Sequence, residues 1–419
     1  MQQIPSIDLP RVSVKSGKIV LPGSKSISNR VLLLSALCEG EAILENILRS
    51  DDTDRMLDAL KMLGIDRYFS GELHIHCGDV PVKKADLFLG NATAFRPLTA
   101  VLALSGGEYI LRGVPRMHER PIGDLVESVR QVANIEYLEK EGFPPIKISP
   151  FQDNGIEISI ADVSSQFLTV LMSLPLLERK VRICLTSELI SRPYVDMTVS
   201  ILEQFGICII QENDSIFICE AQSYRSPKFF IESDASSASY FLALGVISGE
   251  RIEVVVGEAS IQGDVVFANI LEKIGGNIIF NENSIVASRE KSVSLRAFDV
   301  DAGTFPDAAM TLAVVACFTD GECHIRNIGS WRVKETDRIE AMATELRKIA
   351  VVEMTNDSIS IIPPKVWEYA EIETYDDHRM AMCFSLFSVV NDIRILDPAC
   401  VNKTFPEFFV KLAEVCREK

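Results

Sequence analysis

The sequence predicts a mixed α/β chain of two inside-out domains, each built of three repeated βαβαββ-like units whose helices are buried and whose sheets face water. Three observations predict this. Acidic helix starts at Asp54, Asp124, Asp196, Asp264, Asp337 and Glu407 lie 70, 72, 68, 73 and 70 residues apart, a near-constant period that reads as six copies of one unit. The first helix of each unit is apolar nearly all round, as a buried helix must be. Between the helices, segments such as Lys18–Leu21, Gly155–Ile160, Arg251–Val256 and Ser358–Ile362 alternate like strands with one face in water.

In order, Leu21-Pro22-Gly23-Ser24 feeds the apolar helix of the first unit, and Ser50-Asp51-Asp52-Thr53-Asp54 caps an amphipathic one closed by Gly64. The pair recurs from Asn91-Ala92-Thr93 to Leu104 and from Leu125 to Val132. It recurs again after Ser164-Ser165-Gln166 and Pro193-Tyr194-Val195-Asp196, and after Asp234-Ala235-Ser236-Ser237 and Gly263-Asp264. The fifth pair opens at Pro306-Asp307 and Glu335-Thr336-Asp337, the sixth at Asp377-His378-Arg379 and Pro406-Glu407.

With 42 basic against 59 acidic side chains and a formal charge of -17, the chain repels nucleic acid and anionic membranes, so any anionic ligand must be small and enclosed. The N-terminal residues carry neither a basic nor an apolar leader pattern, and no apolar run approaches a membrane span, so a cytoplasmic protein is expected. Ten scattered cysteines without a C-x-x-C pair read as reduced, buried thiols.

Lys25 and Arg30 stand at a helix start, where the dipole favours anions and disfavours cations. Arg96, Arg116, Arg120, Lys334, Arg338, His378, Arg379 and Lys403 repeat the pattern in both halves. Any one of them is more simply a surface charge. As a set, they predict anion sites, with Arg where a phosphate or carboxylate wants two parallel donors. Ser164, Ser165, Ser236 and Ser237 are helix caps or phosphate donors. Asp307 and Glu335 are either ordinary caps or proton carriers among cations. His74 and His76 read as one polar face of a strand, and no metal site is expected.

Five motifs, Leu21 to Arg30, Arg120 to Asp124, Asp234 to Tyr240, Trp331 to Arg338 and Asp377 to Met382, together resemble the 5-enolpyruvylshikimate-3-phosphate synthase family of enolpyruvyl transferases. The resemblance spans essentially the whole chain. It implies two domains, 22–233 and a discontinuous one of 1–21 plus 234–419, with the active site in the cleft between them. The implied reaction moves the enolpyruvyl group of phosphoenolpyruvate to the 5-hydroxyl of shikimate 3-phosphate and releases phosphate, on the route to chorismate and the aromatic amino acids. Lys25, Ser26, Arg30, Ser164, Ser165, Gln166, Ser191, Tyr194, Asp307, Ser330 and Lys334 are thereby expected to bind shikimate 3-phosphate. Lys25, Asn91, Thr93, Arg120, Gln166, Arg338, His378, Arg379 and Lys403 are expected to bind phosphoenolpyruvate. Asp307, Glu335 and Lys25 are the expected catalytic groups. No cofactor is required, the two substrates are the only expected partners, and a monomer is expected.

The sequence departs from the family pattern in lacking a glycine between Ala92 and Thr93, in a loop implied to pack against phosphoenolpyruvate and the inhibitor glyphosate, and single-glycine shortfalls precede Ala133 and Ala350. Ser330 stands where many relatives carry asparagine. The related UDP-N-acetylglucosamine enolpyruvyl transferase is an alternative, but it resembles Lys-Asn at Lys25-Ser26 and uses a loop cysteine absent here. A catalytically impaired phosphoanion-binding homologue is a second alternative, supported by the missing glycine alone.

Overall fold

The computed structural model describes residues 5–76, 80, 82–130, 133–150, 158–160, 180–185, 192–225, 227–257 and 259–418, with the backbone alone at 158–160 and 185. The chain divides into two compact units, Gly23–Glu232 and the pair Met1–Pro22 with Ser233–Lys419.

In the unit Gly23–Glu232 the described helices are α1 (Lys25–Ala36), α2 (Asp51–Met62), α3 (Phe95–Leu104), α4 (Gly123–Val129) and α5 (Arg192–Gln204), besides one short turn at Pro115–His118. α1 is buried at every position but Ser26, because Val31 to Leu34 and their neighbours leave it no polar face. α2 is amphipathic and opens with a reciprocal cap: Ser50 accepts from the Thr53 amide and Thr53 Oγ1 accepts from the Ser50 amide. Gly23, just before α1, is required by a close approach, since a Cβ there would meet the Asn46 carbonyl oxygen at 2.1 Å.

The other unit holds α6 (Ala235–Ser248), α7 (Val266–Lys273), α8 (Ala309–Ala316), α9 (Arg338–Leu346), α10 (His378–Phe384) and α11 (Phe408–Val415). α6 is buried from Ala235 to Ile247, and α8 and α10 along their whole lengths. They form one apolar core with Ile252, Ile325, Ile361 and Ile395 of the surrounding strands.

Among the described residues, five four-stranded sheets share one order and sense, a parallel pair followed by two antiparallel pairings. Two of them take their parallel partner from far along the chain: Lys228–Phe230 pairs with Glu41–Glu45, and Gly17–Ile19 with Ile252–Val254. A three-stranded sheet joins Ala370–Ile372, Ile393–Leu396 and Ser6–Leu9. Strands such as Glu108–Arg112 and Ile393–Leu396 alternate buried with less buried positions, as period-two patterning requires.

Several expected boundaries shift. α3 begins at Phe95 rather than at Asn91-Ala92-Thr93, because the Thr93 amide is taken by the Asp52 carboxylate at 2.8 Å and no side chain caps the helix. α5 begins at Arg192, and Gly263–Val265 forms a 3-10 turn ahead of α7. Lys403 closes a 3-10 turn, Pro398–Lys403, and so does not start a helix. The expected helix after Ser164-Ser165-Gln166 lies outside the described residues.

Candidate active site

Within the unit Gly23–Glu232, two neighbourhoods gather the expected residues. In the first, Arg30, 9% exposed, donates from Nε to Thr198 Oγ1 at 2.9 Å and from Nη1 to the Ser26 carbonyl at 2.8 Å. The Thr198 hydroxyl in turn donates to the carbonyl of Tyr194 at 2.9 Å. Burial lowers Arg30 to about 10, so it is still charged at neutral pH. Among the described residues no carboxylate pairs with it, so its buried charge is met there by neutral acceptors.

The second neighbourhood is tied together by Asp52, 2% exposed. Its Oδ1 accepts the Thr93 amide at 2.8 Å and its Oδ2 accepts Asn29 Nδ2 at 3.0 Å, while Asn29 Nδ2 also donates to the Lys25 carbonyl at 3.1 Å. Lys25 begins α1 behind its cap Ser24 and is largely buried. Arg120, also largely buried, donates to Asn91 Oδ1 at 2.9 Å, and its Nε has no hydrogen-bond partner among the described residues. Arg96 donates to the Pro121 carbonyl at 2.9 Å, joining the loop after Gly90 to the segment that carries Arg120.

In the other unit one guanidinium organises the site. Arg338, 1% exposed at the start of α9, spends each nitrogen on a different carboxylate: Nε on Asp377 at 2.7 Å, Nη1 on Asp307 at 2.8 Å and Nη2 on Glu335 at 2.8 Å. Burial opposes its charge, but Asp377, Glu335 and Asp307 outweigh that and raise its pKa. Asp307 receives Arg379 Nη2 at 2.9 Å on its other oxygen, and Glu335 receives Lys403 Nζ at 3.2 Å. Arg379 also donates to Tyr240 Oη at 3.3 Å. Its charge is opposed by burial and held up by Asp307.

This geometry shows which groups hold each acid. The cap of α9 is Asp337, which accepts the Glu340 amide at 3.2 Å, and α8 opens at Ala308 with no side-chain cap. Glu335 and Asp307 thus stand outside the cap positions of these helices, and guanidinium and ammonium donors, stronger than a backbone amide, hold their oxygens. Asp234, by contrast, is an ordinary cap, taking the Ser237 amide at 2.6 Å. Ser330 lies in the 3-10 turn Gly329–Val333, Lys334 follows it, and His378 is fully buried beside Asp377. Ser164, Ser165, Gln166 and Ser191 lie outside the described residues.

Among residues that sequence reasoning did not select, Asp52 and Asp377 were visible only as cap letters, and Trp331 Nε1 donates to the Pro306 carbonyl at 2.7 Å, fastening the Lys334 segment beside Asp307. Asp264 is another. Its carboxylate accepts from Ser236 Oγ, and burial, then Asp307, push it up to about 7. An unfolded Asp titrates near ~3.9, so the folded chain binds this proton more tightly, and stability is lost as pH rises from about 4 to about 7. Asp264→Asn, which never ionises, is accordingly expected to gain in melting temperature over the parent on going from pH 5 to pH 8. An equal difference at both pH values would show that Asp264 is not the titrating group.

His74 and His76 do share one strand face, but both turn to the same Glu41 oxygen, at 2.9 and 3.1 Å, and among the described residues no group assembles that could hold a metal. Nor, among them, is any helix long and apolar enough to cross a membrane.

The family model described as EPSP synthase (3-phosphoshikimate 1-carboxyvinyltransferase) matches residues 11–412. The chain belongs to the EPSP synthase family. A 3-phosphoshikimate 1-carboxyvinyltransferase of Neisseria meningitidis serogroup C is 52% identical, with 96% of this chain and 97% of the relative covered. One from Cellvibrio japonicus is 53% identical over 98% of this chain and 99% of the relative. Among solved structures, an EPSP synthase from Acinetobacter baumannii matches with a TM-score of 0.79 at 24% identity, covering 98% of this chain and 97% of that one. The enolpyruvyl transferase NikO from Streptomyces tendae matches with a TM-score of 0.76 at 14% identity, covering 99% of each chain. At these identities the structures speak for the mixed α/β fold, while the family rests on the sequence matches. EPSP synthase membership favours the expected enzyme over UDP-N-acetylglucosamine enolpyruvyl transferase.

Proposed function

We propose that this chain transfers the enolpyruvyl group of phosphoenolpyruvate to the 5-hydroxyl of shikimate 3-phosphate and releases phosphate, in the shikimate pathway of aromatic amino-acid biosynthesis. The observation that carries the mechanism is that Arg338 holds Asp307 and Glu335 together, so two acids share one buried cation.

The reaction must place a proton on the methylene carbon of the alkene while the hydroxyl oxygen bonds to the adjacent carbon. The resulting tetrahedral intermediate then loses phosphate as a methyl proton is removed and the double bond re-forms. Asp307 is the group we assign to the attacking hydroxyl, and Glu335 the one assigned to the methylene, since their placement among fixed cations suits proton transfer in a site that excludes water. Lys25 offsets charge on the transferring group. Arg338, Arg379, Lys403, Arg120, Asn91, Thr93 and His378 belong to phosphoenolpyruvate on this reading, with His378 backing Asp377. Ser26, Arg30, Tyr194, Ser330 and Lys334 belong to shikimate 3-phosphate, as do Ser164, Ser165, Gln166 and Ser191, Gln166 serving both substrates. On this reading the chain is a cytoplasmic monomer of two inside-out domains with three units each. The shared sheet order and the buried α1, α6, α8 and α10 support that architecture.

A coupled phosphate-release assay is the test. Release requiring both phosphoenolpyruvate and shikimate 3-phosphate is expected. Release with UDP-N-acetylglucosamine in place of shikimate 3-phosphate would favour the alternative transferase, and binding without release would favour the impaired homologue.

A further inference from the structure

Asp377, His378 and Arg379 enter α10 from a turn in which Tyr375 and Asp376 both have φ of 55°. Neither residue is glycine, and for a side chain with a Cβ the left-handed region is disfavoured because Cβ crowds the following carbonyl. Two such residues in a row persist only where their surroundings over-determine them. The turn's own hydrogen bonds are few: the Asp377 amide donates to the Thr374 carbonyl at 2.8 Å, and Thr374 Oγ1 donates to the Leu396 carbonyl at 3.0 Å.

Glu345 on α9, 1% exposed, also holds this turn. Its Oε1 accepts Tyr375 Oη at 2.9 Å, and its Oε2 accepts the Glu373 amide at 3.0 Å and Lys348 Nζ at 2.6 Å. Burial, then the hydrogen bond to this carboxylate, raises the Tyr375 phenol, so it remains a donor at any ordinary pH. Lys348 supplies the charge that a buried carboxylate needs, and donates as well to the Glu371 carbonyl at 2.7 Å. Glu345 stands seven residues after Arg338, on the same face of α9 two turns on, about 10 Å along the axis. One helix face therefore grips the segment 373–377 at both ends, Glu345 at its entrance and Arg338 at Asp377.

We propose that Glu345 is a positioning residue for the phosphoenolpyruvate end of the site: its carboxylate holds the Tyr375–Asp376 turn in its disfavoured conformation and thereby aims Asp377 and Arg379. This rests on the assignment of Arg379 to phosphoenolpyruvate. Glu345 touches no substrate; it acts through the direction in which the chain enters α10.

The test is steady-state kinetics of four variants, with thermal melts alongside. Glu345→Ala is expected to raise the KM for phosphoenolpyruvate about tenfold while moving that for shikimate 3-phosphate by less than about twofold. Adding Asp376→Gly, which takes positive φ without a steric penalty, is expected to recover most of that loss. Tyr375→Phe, which deletes one hydrogen bond and should fold even where Glu345→Ala does not, is expected to raise the same KM about threefold. Lower melting temperatures with unchanged phosphoenolpyruvate KM in Glu345→Ala and Tyr375→Phe, or a loss that Asp376→Gly does not lessen, overturns the proposal. Arg379→Lys separates the two claims. No rise there overturns the assignment of Arg379 and the proposal with it, whereas a rise there without one in Glu345→Ala overturns the proposal alone.

Discussion

Glu335→Ala is expected to lower kcat by about 100- to 10,000-fold, the worth of a positioned acid or base, while shikimate 3-phosphate still binds. Proton transfer is a transition-state task, so its loss falls on kcat more than on substrate affinity. The structure sharpens this expectation, because the cap of α9 is Asp337 and Glu335→Ala leaves that cap in place. The variant does leave Arg338 and Lys403 with one acid fewer, so Glu335→Gln, which keeps an acceptor of the same shape, should accompany it. If the glutamine variant turns over near the parent rate, Glu335 serves only to hold Arg338 and Lys403, and the methylene proton carrier lies elsewhere. Asp307→Asn is expected to lose turnover on the same scale, with a modest rise in the shikimate 3-phosphate dissociation constant, since Asp307 is assigned to the substrate hydroxyl.

Arg338→Met is expected to be the most destabilising single change in this part of the chain. It takes the guanidinium from the wholly buried Asp377 and removes one of the two cations that hold Asp307 and Glu335, which keep Arg379 and Lys403. Breaking a buried pair by removing one partner costs about 3 to 5 kcal/mol. At about 2 to 4 °C per kcal/mol for a body of this size, the melting temperature should fall by roughly 10 °C. Arg338→Lys should recover little of it, because a single ammonium cannot reproduce three donors aimed in three directions. A melt of Arg338→Met within about 2 °C of the parent would show that the carboxylates find other partners or protonate, and that Arg338 does not hold the cluster together.

The sequence by itself determined the mixed α/β class, the regular recurrence of helix starts and the basic motifs, for a physical reason: period and polarity are local properties of a chain. A helix apolar all round, such as α8, has to be buried whatever surrounds it. Lys25, Arg30, Arg120, Arg338 and Arg379 could be picked out because cations at helix starts run against the dipole. What the letters left open was the meaning of each carboxylate. Asp234, Asp307, Glu335 and Asp337 all stand beside helix starts and look alike in sequence. Only the tertiary structure separates them: Asp234 and Asp337 accept backbone amides at their helix starts, Asp337 pairing with Arg332 as well, whereas cations from elements up to 72 residues away hold Asp307 and Glu335. Lys403 was misread as a helix start for a related reason, since the Pro398–Lys403 turn is not repeated in the pattern. Asp52, Asp264 and Glu345 were passed over because a buried acid is recognised by its partners, and those partners lie 41, 28 and 30 residues along the chain. Pairing over such distances is decided by packing, which brings elements together after local patterning has only decided what each one must bury.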